Sequence, residues 1–270
     1  MWIPDPRWES GDLMAGRKPT GPVVIDWGHA SVQSTVILLT FSGANQMADL
    51  VSRARFSYVG SNYREVGPEG EYFSFPDSTS NGDGVNFSKD ALDRTEMPST
   101  AVTIVSKVRV RDSFSGSSKA FVGQRQDEYG QSTYGIGGHS WNTSRDCFAQ
   151  IMTTSGNAQT GNTVPATVGV WYWLVARWQV GRSLVFELRD DKGDVLDSDS
   201  AADPGGSLDY GAGSGSLGAG QFQVGYYSNP DNDYRSQPVD IAYVKIDSVY
   251  KSDAEIRALI AAPYEMLIPA

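Results

Sequence analysis

The sequence predicts an all-β protein: a two-sheet antiparallel β-sandwich with a short C-terminal helix. Three observations carry this. Gly, Ser, Asn and Asp cluster between short apolar runs, as a chain of many strands and turns requires. "TAVTIVSKVRVRD" (Thr100–Asp112) alternates with a period of two. "SDAEIRALIAAPYEML" (Ser252–Leu267) has the start, stripe and stop of a single helix.

Residues 1–22 read as an extended N-terminal arm. Pro4, Pro6, Pro19 and Pro22 forbid regular structure there, while Trp2, Ile3, Trp8, Leu13 and Met14 are too apolar for a free tail. Aromatic side chains dominate interface energies, so Trp2, Ile3 and Trp8 are the candidate anchors to a neighbouring protein.

Residues 23–270 read as one sandwich domain. "VVID" (Val23–Asp26) and "TVILLTF" (Thr35–Phe41) are β-branched and apolar, and "EYFSF" (Glu71–Phe75) is short and aromatic. In Thr100–Asp112, Val102, Ile104, Val108 and Val110 share one face, expected to be buried. Thr103, Lys107, Arg109 and Arg111 share the other, expected to be wet. "KAFVGQR", "TYGIGG" and "DCFAQIMTT" supply three more strands, and "TVGVWYWLVARWQVG" (Thr167–Gly181) is the strongest strand signal in the chain. Its tryptophans, Trp171, Trp173 and Trp178, are expected to pack rather than bind.

"SLVFELRDDKGDVLDS" (Ser183–Ser198) reads as a hairpin turning at Asp190-Asp191-Lys192-Gly193, where glycine can take a positive φ. Residues 205–220 read as a long surface loop. "QFQVGYYS" and "VDIAYVKIDS" are the last strands before the helix. In that helix Ser252 and Glu255 have capping-box spacing, Ile256, Leu259 and Ile260 form one stripe, and Pro263 ends it.

Composition excludes several classes of function. The net charge is −10 without a dense Lys/Arg block, against nucleic-acid binding. No run approaches a membrane span, and the N-terminus lacks a basic region leading into an apolar one, so no signal peptide is expected and synthesis is expected in a cytoplasm. Cys147, the one cysteine, allows no internal disulfide and reads as a buried small hydrophobe. His29 and His139 have no metal-ligand spacing.

The order of these elements resembles that of concanavalin A-like, laminin-G-type jelly rolls. "GVWYWLVARWQVGRSLVFELRDDKGDVLDS" is similar to their central strand and hairpin, and "VDIAYVKIDSVYKSDAEIRALIAAPY" to their closing strand and helix. The ends, "GRKPTGPVVIDWGHAS" and "AAPYEMLIPA", resemble those of laminin-G-like proteins of tailed bacteriophages. The resemblance implies that the last strand returns beside the first. The helix would then cover an open apolar end of the sandwich, with Tyr264, Met266 and Leu267 strapped over it.

The resemblance also frames the function. The same fold carries glycoside hydrolases, whose E-x-D-x-x-E strand pattern begins at none of the glutamates here; Glu65, Glu69 and Glu71 cluster in what reads as a Gly/Pro loop. No G-x-S-x-G or H-E-x-x-H occurs. The expected role is therefore non-enzymatic: a structural protein of a tailed-phage virion, as capsid decoration or tail-associated subunit. It would bind other virion proteins, with a homo-oligomer possible.

The alternative is a carbohydrate-binding adhesin for host attachment, with a glycosidase as the weaker third reading. For a surface glycan, Tyr226, Tyr227, Asn229, Asp231 and Asp233 offer rings and hydrogen-bonding groups at one loop. The oxygens of Asn229, Asp231 and Asp233 also allow calcium, although Asn/Asp-rich turns are mostly just turns; otherwise no cofactor is expected.

Overall fold

In the computed structural model the described residues are 18–19, 23–41, 49–52, 56–59, 63–67, 70–75, 84–87, 97–112, 114, 119–125, 132–139, 146–160, 164–210, 222–228, 234–236 and 238–269. The strands are β1 (Val23–Ile25), β2 (Thr35–Leu39), β3 (Phe56–Val59), β4 (Tyr63–Gly67), β5 (Gly70–Phe75), β6 (Gly84–Phe87), β7 (Ala101–Val110), β8 (Lys119–Arg125), β9 (Ser132–His139), β10 (Asp146–Thr153), β11 (Gly156–Gln159), β12 (Val164–Pro165), β13 (Trp171–Gln179), β14 (Arg182–Arg189), β15 (Val195–Ala201), β16 (Phe222–Val224), β17 (Tyr226–Ser228), β18 (Tyr234–Ser236), β19 (Val239–Asp247) and β20 (Leu267–Pro269). Among the described residues one α-helix, α1 (Asp253–Ala261), precedes β20, and a 3-10 turn covers Ala30–Val32.

The protein is all-β, a two-sheet antiparallel sandwich with one short C-terminal helix. One sheet runs β11-β10-β9-β8-β16-β6-β3, with β12 beside β10. The other runs β15-β14-β13-β7-β19-β5-β4, with β2 beside β19. Two ribbons, β1–β20 and β17–β18, complete it. Between the sheets lies the main core. Val102, Ile104, Val108 and Val110 of β7 enter it with Leu174 and Trp178 of β13, and meet Phe121, Ile136, Cys147 and Phe222 of the facing sheet.

The odd-numbered face of β7 is wet only at its far end, where Arg109 is half-buried and Arg111, just past the strand, is exposed. Thr103 and Val105 are fully buried and Lys107 is 9% exposed. The α1 helix and the chain after it cover this outer face rather than an open end of the sandwich. Val105, Trp173, Val175 and Tyr243 of the sheet form a second core with Ile256, Leu259, Ile260, Tyr264, Met266 and Leu267. Val23 and Ile25 join it through the β1–β20 ribbon, where Val23 pairs with Pro269 and Ile25 with Leu267. Charged residues survive under this cover because they are paired. Lys107 meets Asp191 at 2.9 Å, and the Trp173 Nε1–H donates to the same carboxylate at 3.1 Å. The Thr103 hydroxyl donates to Val249 O and accepts from the Lys251 N–H. Alternation shows which residues share a face but not what lies above it.

The helix starts as its sequence dictates. The Glu255 N–H donates to Ser252 Oγ at 3.3 Å, and the Ser252 N–H donates to Glu255 Oε2 at 2.8 Å. An ion-pair network fixes this end to the sheet. Glu187 takes Arg177 on one oxygen and Arg189 on the other, and Arg189 reaches Asp253 in the first turn of α1. Arg257 holds Asp253 and Asp194, tying the helix to the β14–β15 turn, where Gly193 has φ +80°. Ala262 leaves helical geometry at φ −140° because Pro263 follows it.

Other expectations are refined. Glu65 and Glu71 lie on a hairpin of β4 and β5, with Glu65 opposite Tyr72, not in a Gly/Pro loop. The "QFQVGYYS" run breaks into β16 and β17 at Gly225, whose φ of +84° lets it turn where a Cβ would strike the Phe75 ring. The opening of the stretch read as a surface loop is packed: Leu208 is buried and bridges to Thr153. Lys18 also lies against the sheet, its ammonium donating to Glu71 O and, at 2.8 Å, to Ala242 O. Ala242 sits at a register shift of β19 against β7, and the lysine caps its carbonyl. None of the described helices is long and apolar enough to cross a membrane.

Candidate functional site

The outer face of the β13–β7–β19 sheet has a covered half and an open half. In the open half Arg109 of β7 lies over two rings, 5.1 Å from the Tyr72 centroid and 5.0 Å from that of Trp171. Its guanidinium pairs with Asp240 at 2.6 Å and donates to the Tyr72 hydroxyl, which donates to Glu65 Oε2 at 2.9 Å. Burial pushes the Asp240 carboxyl up, against the pull of Arg109 and Arg111. The rings already have a cation stacked on them. This is a packed ion–aromatic cluster, and Trp171, Trp173 and Trp178 all serve packing.

Two concavities flank the C-terminal cover on its other side. The smaller, about 220 Å³, lies between α1 and the 3-10 turn. At its base Lys245 donates to both oxygens of Asp247. Asp247 also accepts from the hydroxyls of Ser34 and Thr35. Burial pulls the Lys245 ammonium below its ordinary range, while Asp247 opposes that shift. The side chains around this cavity already pair among themselves: Lys251 with Glu255, and His29 with Glu265 at 3.7 Å.

The larger concavity is an open groove of about 660 Å³ on the far side of the 3-10 turn. Its rim carries Trp27, 54% exposed, at the end of β1. Gln33, Ser34, Ser99 and Ser248 supply its polar wall and Met97 part of its apolar wall. The turn after β1 sets the rim. Asp26 Oδ1 accepts from the Gly28 N–H at 3.0 Å, the His29 N–H donates to Asp26 O, and the His29 ring accepts from the Ser31 N–H. The Gln33 side chain reaches back to Trp27 O at 3.5 Å. The sequence signal for this groove was the Asp26–Trp27–Gly28 turn itself, an aromatic residue in a tight polar bend.

The sequence-predicted site residues are placed as follows. Tyr226 and Tyr227 lie in β17, opposite Ser236 and Arg235 of β18. Asn229, Asp231 and Asp233 lie outside the described residues, as do Trp2, Ile3 and Trp8. Among the described residues no group of three or more His, Cys, Asp or Glu side chains is placed to hold a metal. Cys147 is fully buried, and its thiol is pushed up to about 12 by burial and by the charge of Asp146. It is no nucleophile.

No family model matches the chain, and no curated protein sequence matches it either. Solved structures do. The binding domain of Paraclostridial Mosquitocidal Protein 1 is similar with a TM-score of 0.60 at 12% identity, over 85% of this chain and 52% of that one. The binding domain of botulinum neurotoxin DC in complex with rat synaptotagmin II gives 0.57 at 11%, over 86% and 52%. A botulinum neurotoxin type C structure, described as dependent on two ganglioside molecules for cell entry, gives 0.56 at 11%, over 84% and 50%. The chain thus spans about half the length of the structures it matches. At this identity the likeness is one of fold: the chain is built as the β-sandwich of these domains is built.

Proposed function

We propose that the chain is a non-catalytic binding domain and that it serves on a tailed-phage virion, as capsid decoration or as a tail-associated subunit. The observation that carries this is the β1–β20 ribbon. The two segments whose residues resemble phage proteins, Gly16–Ser31 and Ala261–Ala270, contribute the two strands of that ribbon. They close the second core together and so form one structural unit. The fold neighbours named above are binding domains, which supports binding over catalysis.

In this reading the arm of residues 1–22 reaches a neighbouring virion protein through Trp2, Ile3 and Trp8, and no metal is needed. Purified particles of a phage encoding the chain, probed with an antibody against it, should carry the label at one structural position. Deleting residues 1–15 should leave the domain folded and remove the label from particles. Label confined to the particle-free lysate would contradict the virion assignment. Full incorporation of the deletion variant would contradict the role of the arm.

A second reading, an adhesin that binds a surface glycan, is favoured by the Trp27 groove, because it is open and its described lining is uncharged, while ion pairs line the neighbouring cavity.

A further inference from the structure

We infer that the Trp27 groove is a binding site for a neutral saccharide. The inference rests on the adhesin reading and assigns it a place and a ligand class. The lining of the groove is the reason. None of the described residues of its wall carries a formal charge, in a chain with a net charge of −10. An anionic ligand would find no counter-ion among them and would meet the repulsive field of the whole protein. A cationic ligand would find no carboxylate among those lining residues; Asp26, behind the rim, spends Oδ1 on the Gly28 N–H, and Asp247 is fully buried and spends its oxygens on Lys245, Ser34 and Thr35. A purely apolar ligand would strand the polar wall without water.

The remaining class is a neutral polyhydroxylated molecule with one apolar face, and a pyranose ring is that. Its C–H face would lie on the exposed indole of Trp27, and its hydroxyls would exchange hydrogen bonds with the Gln33 amide and the hydroxyls of Ser99 and Ser248. A volume of about 660 Å³ falls inside the roughly 300–1,000 Å³ of small-molecule sites and has room for more than one ring. The backbone that carries the platform is held still. The Asp26–Gly28 and His29–Ser31 bonds fix the turn behind Trp27, and the Asp26 N–H donates to Met266 O at 2.8 Å, locking the turn to the C-terminal strap. A turn ordered before binding loses little backbone entropy on binding.

The test is an array of neutral and sialylated oligosaccharides, followed by calorimetric titration of the strongest neutral hit into wild type, Trp27→Ala, Trp27→Phe, Gln33→Ala and the triple change Asn229→Ala/Asp231→Ala/Asp233→Ala. Circular dichroism melting of each variant confirms the fold. The expected result is a neutral hit that Trp27→Ala weakens by about tenfold or more, Gln33→Ala by less, and Trp27→Phe least, with the triple variant unchanged. A neutral hit lost in the triple variant and kept in Trp27→Ala would overturn the site but leave the adhesin reading standing. Binding restricted to sialylated glycans would overturn the ligand class. A blank array with folded protein would overturn the adhesin reading and this inference with it.

Discussion

Ile104 and Val105 are neighbours in β7 and belong to different hydrophobic cores. Ile104 packs between the two sheets; Val105 packs under the C-terminal helix on the opposite face. The sheet is therefore covered on both sides at its centre. The chain after β19 is the third layer of the domain, which gives the terminal helix and its aromatic tail a structural purpose.

The first prediction concerns the anchor of that layer. Glu187 is nearly buried and holds both Arg177 and Arg189, the latter fully buried. Removing the carboxylate leaves guanidinium charge without its partner. Glu187→Ala should cost about 3–5 kcal/mol of stability in chemical denaturation. A loss under about 1 kcal/mol would show that the network adds nothing to holding the helix.

Acid should loosen the same junction. Hydrogen bonds from Arg189 and Arg257 hold the Asp253 carboxyl below its ordinary value of 3.8, and the Ser252 cap holds Glu255 below 4.5. For a lowered carboxylate, the stabilisation is complete above the ordinary value and is lost as the pH falls through the lowered one. The gap in melting temperature between wild type and Asp253→Asn should be constant near neutrality and close only below about pH 4. Buried Asp49 and Asp240 are shifted the opposite way, so the gap is diagnostic and the wild-type profile alone is not. A gap that closes above pH 5 would contradict the assignment.

Cys147 should be silent in the folded protein. Its thiol is fully buried and pushed up to about 12. At pH 8 a disulfide reagent should label it only at the rate of unfolding, and completely in denaturant. Rapid labelling of native protein would mean that the core between the sheets opens locally.

Much of this was legible in the sequence. The long strands β7, β13, β14 and β19 are dense in β-branched and aromatic residues, and Ser252, Glu255 and Pro263 mark the helix unaided. Several of the short strands were not legible. β3, β6, β11 and β12 have two to four residues each and owe their pairing to a neighbour already in place. The burial of Thr103 and Lys107 was hidden for another reason: their partners, Val249, Lys251 and Asp191, are remote in sequence. The Trp27 groove was missed because its walls come from four separate stretches of the chain.

The central claim is that the helix of Ile256, Leu259 and Ile260 is a cover on the sheet and not an interface to a partner. Thermal and denaturant unfolding of Leu259→Ala tests it most directly. Leu259 is 7% exposed in the second core, so truncation should cost about 2–5 kcal/mol. Ser252→Ala should cost about 0.5–2 kcal/mol through the lost cap. Both variants should still bind their partner at a temperature where the domain stays folded. An unchanged melting temperature for Leu259→Ala, together with release of the subunit from its assembly, would contradict the account and make the helix an interface element.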